Sequence, residues 1–168
     1  MTEQVDVSLN DRQAEEAADV GPLSYVAGIT RQAGAMAWRE RDGIKQIVII
    51  TSRRTGRWVF PKGGIDPGMT EAMTAANELY EEAGVIGVPD EHPIGTYRTA
   101  KIRPPLIWTV EIALYPVRIT DVLDAWLESG QRERRFVTMD EAEHLLAEPE
   151  MAALARAFLE SQSGLAVG

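Results

Sequence analysis

The stretch Lys62–Val85, KGGIDPGMTEAMTAANELYEEAGV, places a glycine-rich turn directly before a segment with helical periodicity. Within it, Thr70 to Ala83 is predicted to be a helix, because Thr70 is a suitable N-cap residue and Gly84 a suitable C-terminal stop. Apolar side chains that recur at helical spacing form the predicted buried stripe: Ala72, Ala75, Ala76, Leu79 and Ala83.

Three glutamates, Glu78, Glu81 and Glu82, lie three or four positions apart and therefore share one helix face, which we expect opposite the apolar stripe. Glu71 lies two turns earlier on about the same side. Like charges at this spacing destabilise a helix by roughly 0.2–0.5 kcal/mol per pair. A hard divalent cation would offset that repulsion, because Mg²⁺ and Mn²⁺ take carboxylate oxygens as ligands. A solvated acidic face is the alternative that the helix alone leaves open.

The turn before the helix favours the metal interpretation. Glycine lets the backbone approach a ligand closely, and Lys62 beside it can bind phosphate. Phosphoryl chemistry needs a cation site and an anion site together, because the metal neutralises charge on the phosphate oxygens and can activate a water.

Composition narrows the class of protein. A length of 168 residues fits one domain, and the absence of cysteine excludes disulfides and thiolate metal sites. The net charge of -9 argues against general nucleic-acid binding. Between Arg31 and Lys62, however, eight basic residues stand against Glu40 and Asp42. That local excess indicates an anion site or, alternatively, a solvated strand face.

The first residues are acidic and lack the apolar core of a signal peptide. No apolar run approaches the ~20 residues that span a membrane. We therefore expect a cytoplasmic protein without membrane contact, with a disordered tail over residues 1–20 and a single domain over residues 21–168.

Strands and helices alternate without regular βαβ units, which indicates an α+β fold with a mixed sheet. A hairpin is predicted around Gly43. The predicted strands are Gln32–Trp38, Gln46–Thr51, Trp58–Phe60, Ile94–Thr99, Leu106–Val117 and Arg135–Thr138. The run Lys62–Gly68 is predicted to be a loop. Two closing helices are predicted over Asp140–Leu146 and Pro149–Ser161.

The segment Gly63–Val85 resembles the Nudix box: Gly, five residues, Glu, seven residues, Arg-Glu, an aliphatic residue, any residue, Glu-Glu, any residue, Gly, an aliphatic residue. The spacing is intact over its whole length. The positions that match are Gly63, Glu78, Leu79, Glu81, Glu82, Gly84 and Val85. The resemblance, which extends more weakly over about Arg31–Leu159, implies a Nudix-like α/β/α sandwich and a pyrophosphohydrolase dependent on Mg²⁺ or Mn²⁺.

Two positions depart from the box. Met69 stands in place of its first glutamate and Asn77 in place of its arginine, a pair that in the family is thought to brace the loop against the helix. Both partners are replaced, so neither remains as an unpaired buried charge. This pattern indicates a substituted brace rather than a lost metal site.

Carried over by position, the resemblance implies Glu78, Glu81, Glu82 and the Gly63 carbonyl as metal ligands. Either Glu81 or Glu78 would be the catalytic base. A distal carboxylate, supplied in some members, would here be Glu128 or Glu133.

The run Ser52–Gly64 is similar to enzymes that act on diphosphoinositol polyphosphates and dinucleoside polyphosphates. Such substrates are crowded with phosphate, which basic side chains would contact. The residues expected to bind substrate are Arg53, Arg54, Arg57, Lys62, Gly63 and Lys101, with Arg98 a further candidate. The alternative is that several of these basic residues only solvate the ends of strands.

We therefore expect hydrolysis of a phosphoanhydride bond in a nucleoside or inositol polyphosphate. The alternatives are a Nudix-like module that binds a nucleotide without cleaving it, and removal of pyrophosphate from RNA 5′ ends. The sequence indicates neither the individual substrate nor the oligomeric state.

Overall fold

The computed structural model describes residues 25–164, which form an eight-stranded mixed sheet and three helices. The strands are β1 Tyr25–Arg41, β2 Ile44–Thr51, β3 Trp58–Val59, β4 Lys62–Gly64, β5 Val85–Pro89, β6 Gly95–Arg103, β7 Leu106–Val122 and β8 Arg134–Val137. The helices are α1 Glu71–Ala83, α2 Met139–Leu145 and α3 Pro149–Gly164. None of the helices within residues 25–164 is long and apolar enough to cross a membrane. The predicted acidic tail lies outside the described residues.

Strand β1 is central to the sheet, whose order is β3-β2-β1-β7-β5. It forms the predicted hairpin with β2, turning at Asp42 and Gly43, both of which have positive φ. It also pairs in parallel with β7, whereas the remaining pairings are antiparallel. The sheet is therefore mixed, as predicted.

Alternate residues of the central strands face opposite sides of the sheet, as the pleat requires. Met36 and Trp38 pack in a core with side chains of α2 and α3, whereas Ala35 and Ala37 pack in a second core under α1. Helices cover both faces. This arrangement confirms the predicted α/β/α sandwich.

The sequence prediction of a loop at Lys62–Gly68 was wrong at its start. Strand β4 pairs with β1 through Gln32–Gly34, which brings the two backbones close together. A Cβ atom at Gly34 would lie 3.2 Å from the Pro61 carbonyl oxygen, a tight contact, so glycine eases this close approach. The sequence also missed β5, a short strand that pairs with β7.

Helix α1 begins and ends where the sequence predicts. The Thr70 hydroxyl accepts a hydrogen bond from the Met73 backbone N–H at 3.1 Å, the expected N-cap contact. Gly84 ends the helix in the left-handed conformation, with φ 63°. The box glutamates lie in the last two turns, beside β4.

Candidate active site

Glu82 is buried at the sheet-facing side of α1, with only 4% of its surface exposed. Its Oε1 accepts a hydrogen bond from the Lys62 backbone N–H at 3.0 Å, and its Oε2 lies 2.8 Å from Arg132 Nη2. The expected separation of carboxylates from the apolar stripe was therefore wrong, since Glu82 is buried with Leu79 and Ala83. The two polar contacts compensate the carboxylate for lost hydration.

Glu78, one turn earlier, lies beside Glu82 and is hydrogen-bonded to its side chain. The Glu78 carboxylate also packs directly on Gly63, leaving no space for a Cβ atom at that position. Gly63 in β4 and Glu78 in α1 are thus held face to face. The structure brings together three of the four predicted metal-binding residues, Gly63, Glu78 and Glu82.

The two neighbouring carboxyl groups have raised pKa values. Burial, and then the adjacent Glu78, raise the pKa of Glu82 to about 8, although Arg132 and the Lys62 N–H oppose the shift. Burial also raises the pKa of Glu78, and the charge of Glu81 adds to that effect. Desolvated carboxylates that repel each other favour either a proton or a cation between them.

Glu81, the fourth predicted ligand, has a different partner. Its half-buried side chain accepts a hydrogen bond from Asn77 Nδ2 at 3.3 Å. Among residues 25–164, no three acidic or histidine side chains are grouped closely enough to hold a metal ion as they stand. Glu81 as base or ligand therefore stays a prediction.

The loop between β7 and β8 is docked on the C-terminal end of α1. Trp126 Nε1 donates to the Glu82 carbonyl at 3.0 Å, and its ring would collide with any Cβ atom at Gly84. Arg134 stacks on that ring at 4.1 Å and donates to the Ala83 carbonyl at 2.8 Å. These contacts satisfy carbonyls that the helix leaves unpaired. They also hold the loop that carries Arg132 against the carboxylates.

The same loop carries both candidates for a distal carboxylate, and the structure separates them. Glu128 Oε1 lies 3.2 Å from Arg53 Nη1. The charge of Glu128 also raises the pKa of Glu82, although burial and the charge of Glu78 raise it more. The Glu133 side chain is exposed, and its backbone N–H donates to the Thr51 hydroxyl at 2.9 Å. Glu128 is therefore the carboxylate placed near Glu78 and Glu82.

A cleft of about 460 Å³ opens beside these carboxylates. It is strongly cationic, with seven basic side chains against the carboxylates of Glu82 and Glu148. The basic residues are Arg53, Arg54, Arg57, Lys62, Lys101, Arg103 and Arg132. Five of the basic residues predicted to contact substrate line this cleft: Arg53, Arg54, Arg57, Lys62 and Lys101. Arg103 and Arg132 line it as well but were not predicted as substrate contacts: Arg103 lies two positions after Lys101 on β6, and Arg132 comes from the distant β7–β8 segment.

Lys62 belongs to both parts of the site. Its backbone N–H binds Glu82, while its side chain lines the cleft. Burial lowers the pKa of Lys62, Glu82 opposes that shift, and Lys101 and Arg132 add to it. An ammonium group surrounded by cations in this way would be stabilised by a bound anion.

Two other predicted residues lie elsewhere. Arg98 Nε is 3.0 Å from Glu111 Oε2, and its position on β6 directs it to the opposite face from Tyr97, so the structure does not bring Arg98 to the cleft. Glu71 does not join the carboxylate patch. Instead it pairs with Arg31 Nε at 3.1 Å and accepts a hydrogen bond from the Tyr115 hydroxyl at 3.1 Å.

Comparison with known families gives a direct assignment. The NUDIX domain model matches residues 30–160, most of the chain. The chain belongs to the Nudix domain family. The Gly63, Glu78 and Glu82 cluster is therefore the Nudix box in its folded form, and the box resemblance noted in the sequence is confirmed.

Individual relatives agree with this assignment. The chain is 30% identical over 101 residues to Nudix hydrolase 12, mitochondrial, of Arabidopsis thaliana, an alignment that covers 58% of this chain and 50% of that relative. It is 25% identical over 124 residues to human diphosphoinositol polyphosphate phosphohydrolase 3-alpha, covering 68% of each. The chain thus spans between half and about two thirds of the length of these relatives.

Solved structures show the same fold. A binary complex of the C. elegans Ap4A hydrolase superimposes with a TM-score of 0.61 at 22% identity, covering 80% of this chain and 98% of that one. A NUDIX hydrolase from Nitrosomonas europaea superimposes with a TM-score of 0.59 at 16% identity, covering 79% and 89%.

Proposed function

We propose that this Nudix chain hydrolyses a phosphoanhydride bond in a nucleoside or inositol polyphosphate, with Mg²⁺ or Mn²⁺ as cofactor. One observation carries the proposal: the half-buried Glu78 and the buried Glu82 adjoin a cleft lined by seven basic residues. Cation-binding and anion-binding groups are thus adjacent, as phosphoryl transfer requires.

The residues of the carboxylate cluster fit a hard divalent cation. Glu78 and Glu82 supply carboxylate oxygens, and the backbone of Gly63 lies against Glu78 without a side chain between them. Oxygen ligands of this kind are those that Mg²⁺ and Mn²⁺ take. When bound, such an ion neutralises charge on phosphate oxygens and makes an attacking water more acidic.

The protein's own side chains would bind the substrate and accept a proton. Arg53, Arg54, Arg57 and Lys101 would bind the phosphates, because basic side chains form charge-assisted hydrogen bonds to phosphate oxygens. Glu81 is the proposed proton acceptor for the attacking water, with Glu78 as the alternative. The half-buried Glu81 carboxylate accepts a hydrogen bond from Asn77 Nδ2, and a carboxylate has further lone pairs that could accept a proton.

The substrate class follows from the charge of the cleft. Seven cations against two carboxylates suit a ligand with several phosphates better than one with a single phosphate. The names of relatives and structural neighbours, which include a diphosphoinositol polyphosphate phosphohydrolase and an Ap4A hydrolase, support the same class. A small-molecule substrate and a cytoplasmic location stay predictions.

The alternative is a module that binds a polyphosphate without cleaving it. It draws support from the ion pair between Glu82 and Arg132, since this arginine occupies a carboxylate oxygen that a metal ion would use. The two functions differ in whether the intact chain releases product.

A substrate panel tests the proposal. The protein is incubated with dinucleoside polyphosphates, nucleotide sugars, diphosphoinositol polyphosphates and 5′-triphosphorylated RNA, with Mg²⁺, with Mn²⁺ and with a chelator. We expect phosphate or nucleotide release from a polyphosphate, abolished by the chelator. Tight binding without product from any compound would instead establish the binding module, and cleavage that persists in the chelator would contradict the metal role.

A further inference from the structure

The Tyr97 hydroxyl on β6 is a buried polar group without a hydrogen-bond partner among the described residues. The side chain is 1% exposed, and its ring belongs to the core that faces α2 and α3. Its oxygen is fully buried and has no partner within hydrogen-bond distance. Buried hydroxyls are nearly always paired, so an orphan of this kind indicates a missing acceptor or donor.

The position of Tyr97 indicates what is missing. The residue lines the cationic cleft, with Lys62 and Lys101 among the other lining residues. Tyr97 is therefore part of the wall of the proposed substrate site, with its unpaired hydroxyl just beneath the surface. An acceptor that enters this cleft would meet a ready donor and several positive charges. Both features select an anionic oxygen.

The nearby acidic groups do not supply that acceptor. Glu148 also lines the cleft, but its Oε1 accepts a hydrogen bond from the Thr99 hydroxyl at 3.2 Å and lies 3.8 Å from Arg57 Nη2. Glu82 is bound by Lys62 and Arg132. Burial raises the pKa of Tyr97, and the charges of Glu148 and Glu82 add to the rise. The hydroxyl consequently keeps its proton as a donor throughout the physiological pH range.

We propose that the Tyr97 hydroxyl binds the substrate, donating a hydrogen bond to a phosphate oxygen of the polyphosphate in the cleft. This inference rests on the proposed function, and it adds a neutral, directional contact to the basic residues already named. The ring alone fills the core, so the hydroxyl contributes nothing to packing that phenylalanine would lack. Its contribution appears when the ligand is bound.

The test compares Tyr97→Phe with a matched variant, Tyr115→Phe. Tyr115 is also buried, at 6% exposure, but its hydroxyl is paired with Glu71 and it does not line the cleft. The two tyrosines therefore give opposite expectations. Loss of the orphan hydroxyl should weaken ligand binding without lowering the melting temperature. Loss of the paired hydroxyl should lower the melting temperature without changing ligand binding.

The probe is methylenebisphosphonate with Mg²⁺, a pyrophosphate analogue whose P–C–P bridge is not hydrolysed, measured by titration calorimetry. For Tyr97→Phe we expect Kd to rise about tenfold or more, the effect of one hydrogen bond to a charged group. KM for the best substrate of the panel should rise in parallel, with kcat changed by less than about threefold.

The outcomes separate this inference from the proposed function. Suppose that the parent protein binds the analogue and cleaves a polyphosphate, and that Tyr97→Phe keeps the parental Kd. That result would overturn the Tyr97 inference but not the proposed function. A lowered melting temperature in Tyr97→Phe, as in Tyr115→Phe, would also overturn it, because the hydroxyl would then have a structural partner. A parent protein that neither binds the analogue nor cleaves any compound of the panel would overturn both proposals.

Discussion

Arg132 Nη2 lies 2.8 Å from Glu82 Oε2 in a contact that is almost wholly buried, with side-chain exposures of 11% and 5%. Arg132 is 50 positions beyond Glu82 in the chain, and the docked β7–β8 loop brings them together. Even with this cation, burial raises the pKa of Glu82 to about 8. The charge of the carboxylate cluster should therefore change with pH near neutrality, and with it the affinity for a metal.

Metal affinity should increase as the pH rises from 6.5 to 8.5. A carboxylate ligand must lose its proton to bind a cation, and Glu82, with its pKa raised to about 8, is mostly protonated at the lower pH. We expect Mn²⁺ to bind about 25-fold more tightly at pH 8.5 than at pH 6.5, because the deprotonated fraction of Glu82 rises by about that factor. Free Mn²⁺ measured by electron paramagnetic resonance gives the affinity. Glu82→Gln should bind Mn²⁺ more weakly than the parent at pH 8.5, and an affinity that is equal at both pH values in the parent would contradict the prediction.

Glu82→Gln should remove most of the activity while leaving the fold intact. The amide keeps the shape of the side chain but loses the charge that a cation requires. We expect kcat/KM to fall about 100-fold or more, equivalent to ~2.7 kcal/mol. Measurements at saturating Mg²⁺, with circular dichroism spectra for the fold, test this. Glu143→Gln is the control, because Glu143 is exposed on α2 and pairs with Arg156 outside the site. Parental turnover in Glu82→Gln would remove Glu82 from the metal site.

Arg54→Ala and Lys62→Ala should weaken polyphosphate binding, and the loss should grow with the number of phosphates. Both residues line the cleft, and a charge-assisted contact to phosphate contributes roughly 1.5–3 kcal/mol. KM is measured across substrates that differ in phosphate number. Arg41→Ala is the matched control, since Arg41 is exposed at the end of β1 and does not line the cleft. If the first two variants keep the parental KM for every substrate, these side chains only solvate the surface.

Local patterns predicted the parts of the site that lie within a few residues of each other. Helix α1 follows from the Thr70 cap, the alanine stripe and Gly84, and the spacing of Glu78 and Glu82 places both on one helix face. Strand β4 could not be predicted, because Gly63 and Gly64 have low strand propensity and are extended only through pairing with β1. Features such as strand β4 depend on contacts between segments that are distant in sequence.

The partners of the glutamates were the least predictable feature. Nothing near Glu82 in sequence indicates that Arg132 will pair with it, since the contact depends on Trp126 and Arg134 docking a distant loop. Burial of a carboxylate costs free energy unless it is paired. From the sequence alone, a solvent-facing Glu82 was therefore the reasonable expectation.

The start of α1 is held by two residues that lie outside the box, Arg31 and Tyr115. Arg31 on β1 pairs with Glu71 in the first helical turn, where Tyr115 also donates to Glu71. Arg31 additionally pairs with Glu111 at 2.6 Å. These contacts tie the first turn to the sheet while positions 69 and 77 lack the charged pair of the box.

The last prediction concerns those two positions. Met69 is half-buried before α1, and Asn77 donates to Glu81 at 3.3 Å. We predict that Met69 packs where the Glu–Arg brace of the family would lie, since methionine fills irregular spaces. Met69→Glu or Asn77→Arg alone should therefore destabilise the protein or leave kcat flat, because each adds a charge without its partner, and Asn77→Arg also removes the contact to Glu81. The double variant should recover the loss and can raise kcat by stiffening the segment that follows Gly63. A double-mutant cycle on the free energy of unfolding and on kcat measures the coupling. A coupling energy near zero would show that the two positions do not meet, and the brace would then have been lost rather than replaced.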